Sequence, residues 1–110
     1  MIQIFGMKNC NDTKKAIRFF KDRKINVQFI NLKEKEISKG ELKSITKTFD
    51  IEELLDREGK EFKKRNLEYY VFDTLELLME SPELFKTPIL REKDRVSLGY
   101  QPEIWKEWIK

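Results

Sequence analysis

Ile2-Gln3-Ile4-Phe5-Gly6-Met7-Lys8-Asn9-Cys10-Asn11-Asp12-Thr13-Lys14-Lys15-Ala16 passes from a short apolar alternation, through a glycine and a lone cysteine, directly into a helical pattern. The first four residues read as a buried strand ending at Gly6. From Thr13 the spacing changes: Thr13, Ala16, Ile17 and Phe20 recur at threes and fours and predict one core-facing stripe. Asn11 or Asp12 is the expected cap of this helix. A thiol at such a junction lies near unpaired backbone N–H groups and the positive end of a helix dipole. Both favour the thiolate, which is the nucleophile, so Cys10 is the candidate reactive group.

Outward from this stretch, the helical pattern fades near Lys24, and Val27-Gln28-Phe29-Ile30-Asn31-Leu32 reads as a second strand. Strand, helix and strand make a βαβ unit with parallel strands and a right-handed crossover. Cys10 then falls at the carboxyl edge of the first strand, where ligands of open α/β sheets gather. Residues 33–86 read as a helical insertion too short to be a separate domain. Within it, Ser38 with Glu41 forms a capping box ahead of Leu42, Ile45 and Phe49. Ile51, Leu54 and Leu55 predict a short helix ended near Gly59, and Tyr69-Tyr70-Val71 is the one strand candidate. Asp73 with Glu76, and Ser81-Pro82, mark two further helical starts. Thr87 to Arg91, then Arg95 to Gly99, read as a β-hairpin, and Gln101-Pro102-Glu103 opens a last helix whose Ile104, Trp105 and Trp108 close over the sheet. The expected architecture is one α/β domain over residues 1–110.

Composition narrows the chemistry. Charged and hydrophobic residues each make up 39% of the chain, and the net charge of +3 is spread through interleaved acids and bases. Interleaving predicts solvated helix faces, so direct nucleic-acid binding is not expected. No apolar run approaches the length of a membrane span, the first residues read as strand, and one cysteine makes no internal disulfide; a cytoplasmic protein is the expectation. The chain has no histidine, which removes Ser-His-Asp and Cys-His catalysis and the commonest zinc ligand sets. Cys10 must be activated by dipole, backbone N–H groups or nearby cationic charge.

The order β-α-β, helical block, β-β, α is that of a thioredoxin or glutaredoxin core, and several landmarks sharpen it. Gly6-Met7-Lys8-Asn9-Cys10 with Lys14-Lys15-Ala16, then Leu54-Leu55-Asp56-Arg57-Glu58-Gly59, Thr87-Pro88-Ile89-Leu90 and Leu98-Gly99-Tyr100, run nearly end to end. Together they resemble the arsenate reductase-related (ArsC/Spx) family of glutaredoxin-like proteins. The resemblance implies a thioredoxin-like, four-stranded mixed sheet, a thiol redox site at Cys10 and a cis-proline at Pro88 beginning the third strand.

Within that family, arsenate reductases pair the cysteine with three arginines. Arg57 matches the first, Thr87 stands where the second would be, and Leu98-Gly99-Tyr100 supplies no third. Each charge-assisted contact contributes roughly 1.5–3 kcal/mol, so losing two disfavours arsenate as the substrate. Spx regulators bind RNA polymerase, often through a Cys-x-x-Cys switch; Thr13 occupies the second position here, but some regulators of the family also lack the second cysteine, so a regulator with RNA polymerase as partner is the alternative that the resemblance implies. The wording around Cys10 most resembles the short single-cysteine branch, which implies a glutathione-dependent thiol reductase. Under that reading Cys10 is the nucleophile, and Thr13 and Lys14 stabilise its thiolate. Asn11, Arg57, Thr87 and Pro88 then bind the substrate or glutathione. No bound cofactor or metal is implied; glutathione serves as co-substrate, with a glutaredoxin- or thioredoxin-type reductant as partner.

Overall fold

The computed structural model describes residues 1–110. The chain falls into two compact units, Met1–Asn31 with Thr87–Lys110, and Leu32–Lys86.

The first unit is a four-stranded sheet with helices on it. The strands are β1 (Ile2–Gly6), β2 (Val27–Asn31), β3 (Ile89–Glu92) and β4 (Arg95–Leu98), in the spatial order β2-β1-β3-β4. β1 and β2 are parallel, Ile2 facing Val27 and Gly6 facing Asn31. β3 runs antiparallel to β1, and β4 antiparallel to β3. α1 (Asn11–Asp22) makes the crossover, and α5 (Pro102–Trp108) ends the chain.

Because side chains alternate along a strand, one face of the sheet carries Ile2, Ile4 and Leu90, and these form one core with Ala16, Phe19, Phe20 and Trp105. The Trp105 ring lies 5.4 Å from that of Phe19, 5.6 Å from Phe20 and 5.5 Å from Tyr100. Its indole N–H, fully buried, donates to Ser97 Oγ at 2.8 Å. The opposite face carries a polar row across three strands. Arg91 Nε donates to Gln3 Oε1 at 2.8 Å, and Gln3 Nε2 donates to Gln28 Oε1 at 3.3 Å. The hairpin turns at Lys93-Asp94, Lys93 having a positive φ of 56°.

The second unit is built of short helices: α2 (Lys39–Thr46), α3 (Lys60–Lys64), α4 (Thr74–Glu80) and single 3₁₀ turns at Ile51–Leu54, Leu67–Tyr69 and Pro82–Leu84. The Ser38/Glu41 capping box forms as expected, with Glu41 N–H on Ser38 Oγ at 3.1 Å and Ser38 N–H on the Glu41 carboxylate at 2.9 Å. Arg65 ties α3 to the Pro82–Leu84 turn, pairing with Glu61 at 2.8 Å, with Glu83, and with Ser81 Oγ at 2.8 Å.

Four local expectations are corrected. Cys10 itself is the N-cap of α1, so Asn11 is the first helical residue and neither Asn11 nor Asp12 caps it. Leu55 leaves its 3₁₀ turn extended and bridges to Phe85. Gly59 starts α3 instead of ending a helix. Tyr69-Tyr70-Val71 pairs with no strand; Tyr69 closes a 3₁₀ turn, and all three side chains are exposed. β-branched and aromatic residues favour strands only where a neighbouring strand accepts them.

Candidate functional site

Cys10 is held by the local chain. Its N–H donates to Met7 O at 3.1 Å, and its own carbonyl accepts the first helical bond from Lys14 N–H at 3.1 Å. The side chain is left half-buried at the mouth of α1. Thr87, which precedes Ile89 of β3, comes alongside through a cis Thr87–Pro88 peptide bond. Thr87 Oγ1 donates to Cys10 Sγ at 3.1 Å, and Sγ in turn faces the Thr87 carbonyl oxygen at 3.8 Å.

Thr13 approaches from below. It is fully buried one helical turn after the cysteine, and its hydroxyl makes no ordinary hydrogen bond in the resting site. Glycine is required at position 6 for this approach. A Cβ on Gly6 would stand 2.5 Å from both Thr13 Cγ2 and Thr13 Oγ1, closer than real atoms come.

These neighbours set the acidity of the thiol. Burial pushes the pKa of Cys10 up, but the hydroxyls of Thr13 and Thr87 and the backbone N–H groups of Thr13 and Asp12 outweigh it, so the thiol ionises below its ordinary value. Cys10 makes no side-chain capping bond to those amides in its resting form. We therefore read them, with the unpartnered Thr13 hydroxyl, as groups that engage the sulfur once it carries charge. A half-exposed sulfur with a lowered pKa can attack an electrophilic sulfur or be modified by one.

The structure thus brings Cys10, Thr13, Thr87 and Pro88 together in one unit. Lys14 is exposed and is not among the groups that lower the thiol's pKa. Asn11 is exposed at the start of α1. Arg57 belongs to the Leu32–Lys86 unit, where it pairs with Glu52 at 3.0 Å and lies over the rings of Phe62 and Phe72 at 5.7 and 5.9 Å. No group of three or more His, Cys, Asp or Glu is placed to hold a metal ion, and no helix is long and apolar enough to cross a membrane. The steric demand of Thr13 on Gly6 carries one faint signal in the sequence, a glycine that ends a strand ahead of a cysteine.

A β2-β1-β3-β4 sheet with a cysteine opening α1 and a cis-proline entering β3 defines a thioredoxin-like fold. More narrowly, the chain matches the ArsC family over residues 5–108 and belongs to that family. It is 31% identical over 107 residues to the global transcriptional regulator Spx 2 of Oceanobacillus iheyensis, covering 93% of this chain and 78% of that protein. It is 30% identical over 106 residues to the regulatory protein MgsR of Bacillus subtilis, covering 92% and 84%. Among solved structures, an arsenate reductase-related protein from Brucella melitensis superposes with a TM-score of 0.71 at 28% identity, covering 99% of this chain and 94% of that one.

Proposed function

We propose that the chain is a monothiol redox protein that reduces mixed disulfides with glutathione. The observation that carries this reading is the hydroxyl of Thr87 directed at Cys10 Sγ from 3.1 Å on a half-buried thiol of lowered pKa. The Cys10 thiolate attacks the glutathione sulfur of a mixed disulfide. The Cys10–glutathione bond forms, the old sulfur–sulfur bond breaks, and the substrate leaves as its thiolate, taking a proton from water. A second glutathione thiolate then attacks the adduct, forming oxidised glutathione and restoring the Cys10 thiolate. No second cysteine intervenes, since Thr13 fills the position where a resolving thiol would stand. The Thr87 carbonyl lies 3.8 Å from the sulfur, so its backbone is placed for an extended glutathione-like peptide to pair with it. The protein is treated with oxidised glutathione and examined by intact mass, while Cys10 is titrated by its thiolate absorbance. A glutathione adduct confined to Cys10 and an ionisation below that of a free thiol support the reading; an unmodified, ordinary thiol removes it.

A second reading follows from the names of the relatives, a global transcriptional regulator and a regulatory protein. In it the chain engages RNA polymerase through contacts that do not need the thiol. Capture of purified RNA polymerase, unchanged in a Cys10→Ser variant, decides for a regulator whose activity does not need the thiol. Absence of capture decides against regulation by this route.

A further inference from the structure

Tyr69, Tyr70 and Val71 are 77%, 64% and 105% exposed, three large apolar residues in succession on the Leu32–Lys86 unit. A run of this kind is uncommon on a folded surface unless it serves contact with something else. The backbone points the same way. The N–H groups of Tyr69 and Tyr70 close their turn on Asn66 and Leu67, but those of Val71 and Phe72 make no backbone hydrogen bond. Tyr70 is already extended, with φ −117° and ψ 150°. The segment therefore has strand-forming residues, an extended start and open donors, but no strand beside it. Phe72 anchors its far end by packing edge-on against Phe62, ring centroids 6.4 Å apart.

Charge identifies the occupant. The segment borders a shallow depression of about 430 Å³ lined by Glu52, Glu68 and Asp73, with Arg57 as its one cation, itself paired with Glu52. A second copy of this chain is opposed electrostatically. Antiparallel pairing centred between Tyr70 and Val71 sets Glu68 against Asp73 at both ends, and parallel in-register pairing sets each acid against itself. We propose that Tyr69–Phe72 is a docking strand that takes up an extended peptide segment of a partner protein, one with a β-branched or aromatic centre and lysine or arginine flanks. Backbone bonding to Val71 supplies the pairing, because successive amides of an extended segment face opposite edges, and Glu68 and Asp73 select the flanks.

The test uses the intact protein and a fluorescent probe peptide of sequence Lys-Lys-Val-Tyr-Val-Lys-Lys, with a Glu-flanked counterpart. The Lys-flanked peptide is expected to shift the amide resonances of Val71 and Phe72, and to bind at least tenfold more tightly than the Glu-flanked one at low salt. Glu68→Lys removes that preference, and Val71→Ser weakens both peptides, each variant keeping the parent unfolding midpoint because both side chains are exposed. Three outcomes overturn the proposal: no shift at Val71 and Phe72, equal binding of the two peptides, or a dimer in sedimentation that Val71→Ser dissolves, which makes a second copy the occupant.

Discussion

Thr87 Oγ1 donates to Cys10 Sγ at 3.1 Å across 77 positions of sequence, so the thiol and its side-chain donor meet only in the folded sheet. The contact has a direct consequence for acidity. Replacing Thr87 with Val removes the donor at near-constant volume. The thiolate should therefore appear at a higher pH than in the parent protein. Ultraviolet thiolate absorbance against pH measures this, and an unmoved titration would deny the hydroxyl its role.

The same lowering makes stability depend on pH. The folded-state pKa of Cys10 lies below its unfolded value, so between the two the unfolded chain binds more protons. The associated stabilisation is therefore complete above the unfolded pKa and is lost as pH falls through the folded one. Urea unfolding across that window should show stability rising with pH in the parent protein. In Cys10→Ser this rise should be missing.

Gly6→Ala tests the packing beneath the site. The new methyl would sit 2.5 Å from Thr13 Cγ2 and Oγ1, on a side chain with no free space around it. Overpacking of this kind costs about 1–3 kcal/mol. Displacement of the Thr13 hydroxyl should also slow alkylation of Cys10. The clash lies mostly in the Thr13 side chain, so Thr13→Ala should recover part of the lost stability, and the double variant should be more stable than the two single losses added together.

Ser97→Ala leaves the buried indole N–H of Trp105 without its acceptor. An unsatisfied buried donor costs about 1–3 kcal/mol, and the change should appear as a lower denaturant midpoint at unchanged slope. A midpoint equal to the parent's would mean that another acceptor replaces the serine.

Strong periodicity explains what the sequence disclosed. β1, β2 and α1 each repeat an apolar residue at a near-fixed interval, while the pairing of β3 with β1 is what the family resemblance implies. Phe19 lies beside the Thr13, Ala16 and Phe20 stripe, so periodicity does not mark it, yet it is buried with the rings of Phe20 and Trp105 edge-on to its own. The Leu32–Lys86 unit was less legible because its helices span only a turn or two, a length at which tertiary contacts override propensity. Gly59 illustrates this, since a glycine serves a helix start or a helix end, and only the surrounding backbone decides which. At the site, Cys10 was identifiable from its place between strand and helix. The distance-dependent facts were not: Thr87 touches the sulfur, while Arg57 is engaged by Glu52 and two phenylalanine rings.

The two tryptophans sit in contrasting surroundings. Trp105 is enclosed by Phe19, Phe20 and Tyr100, whereas Trp108 is partly open to water with the Arg95 guanidinium 5.4 Å from its ring. An indole fixed among tilted rings is an asymmetric chromophore, with emission at short wavelength and pronounced near-ultraviolet dichroism. Trp108, packed against the edge of the core and partly open to water, should emit at longer wavelength than Trp105. The molecule therefore carries its own two-colour optical reporter: loosening of α5 dims the dichroic signal and merges the two emissions, with no label attached.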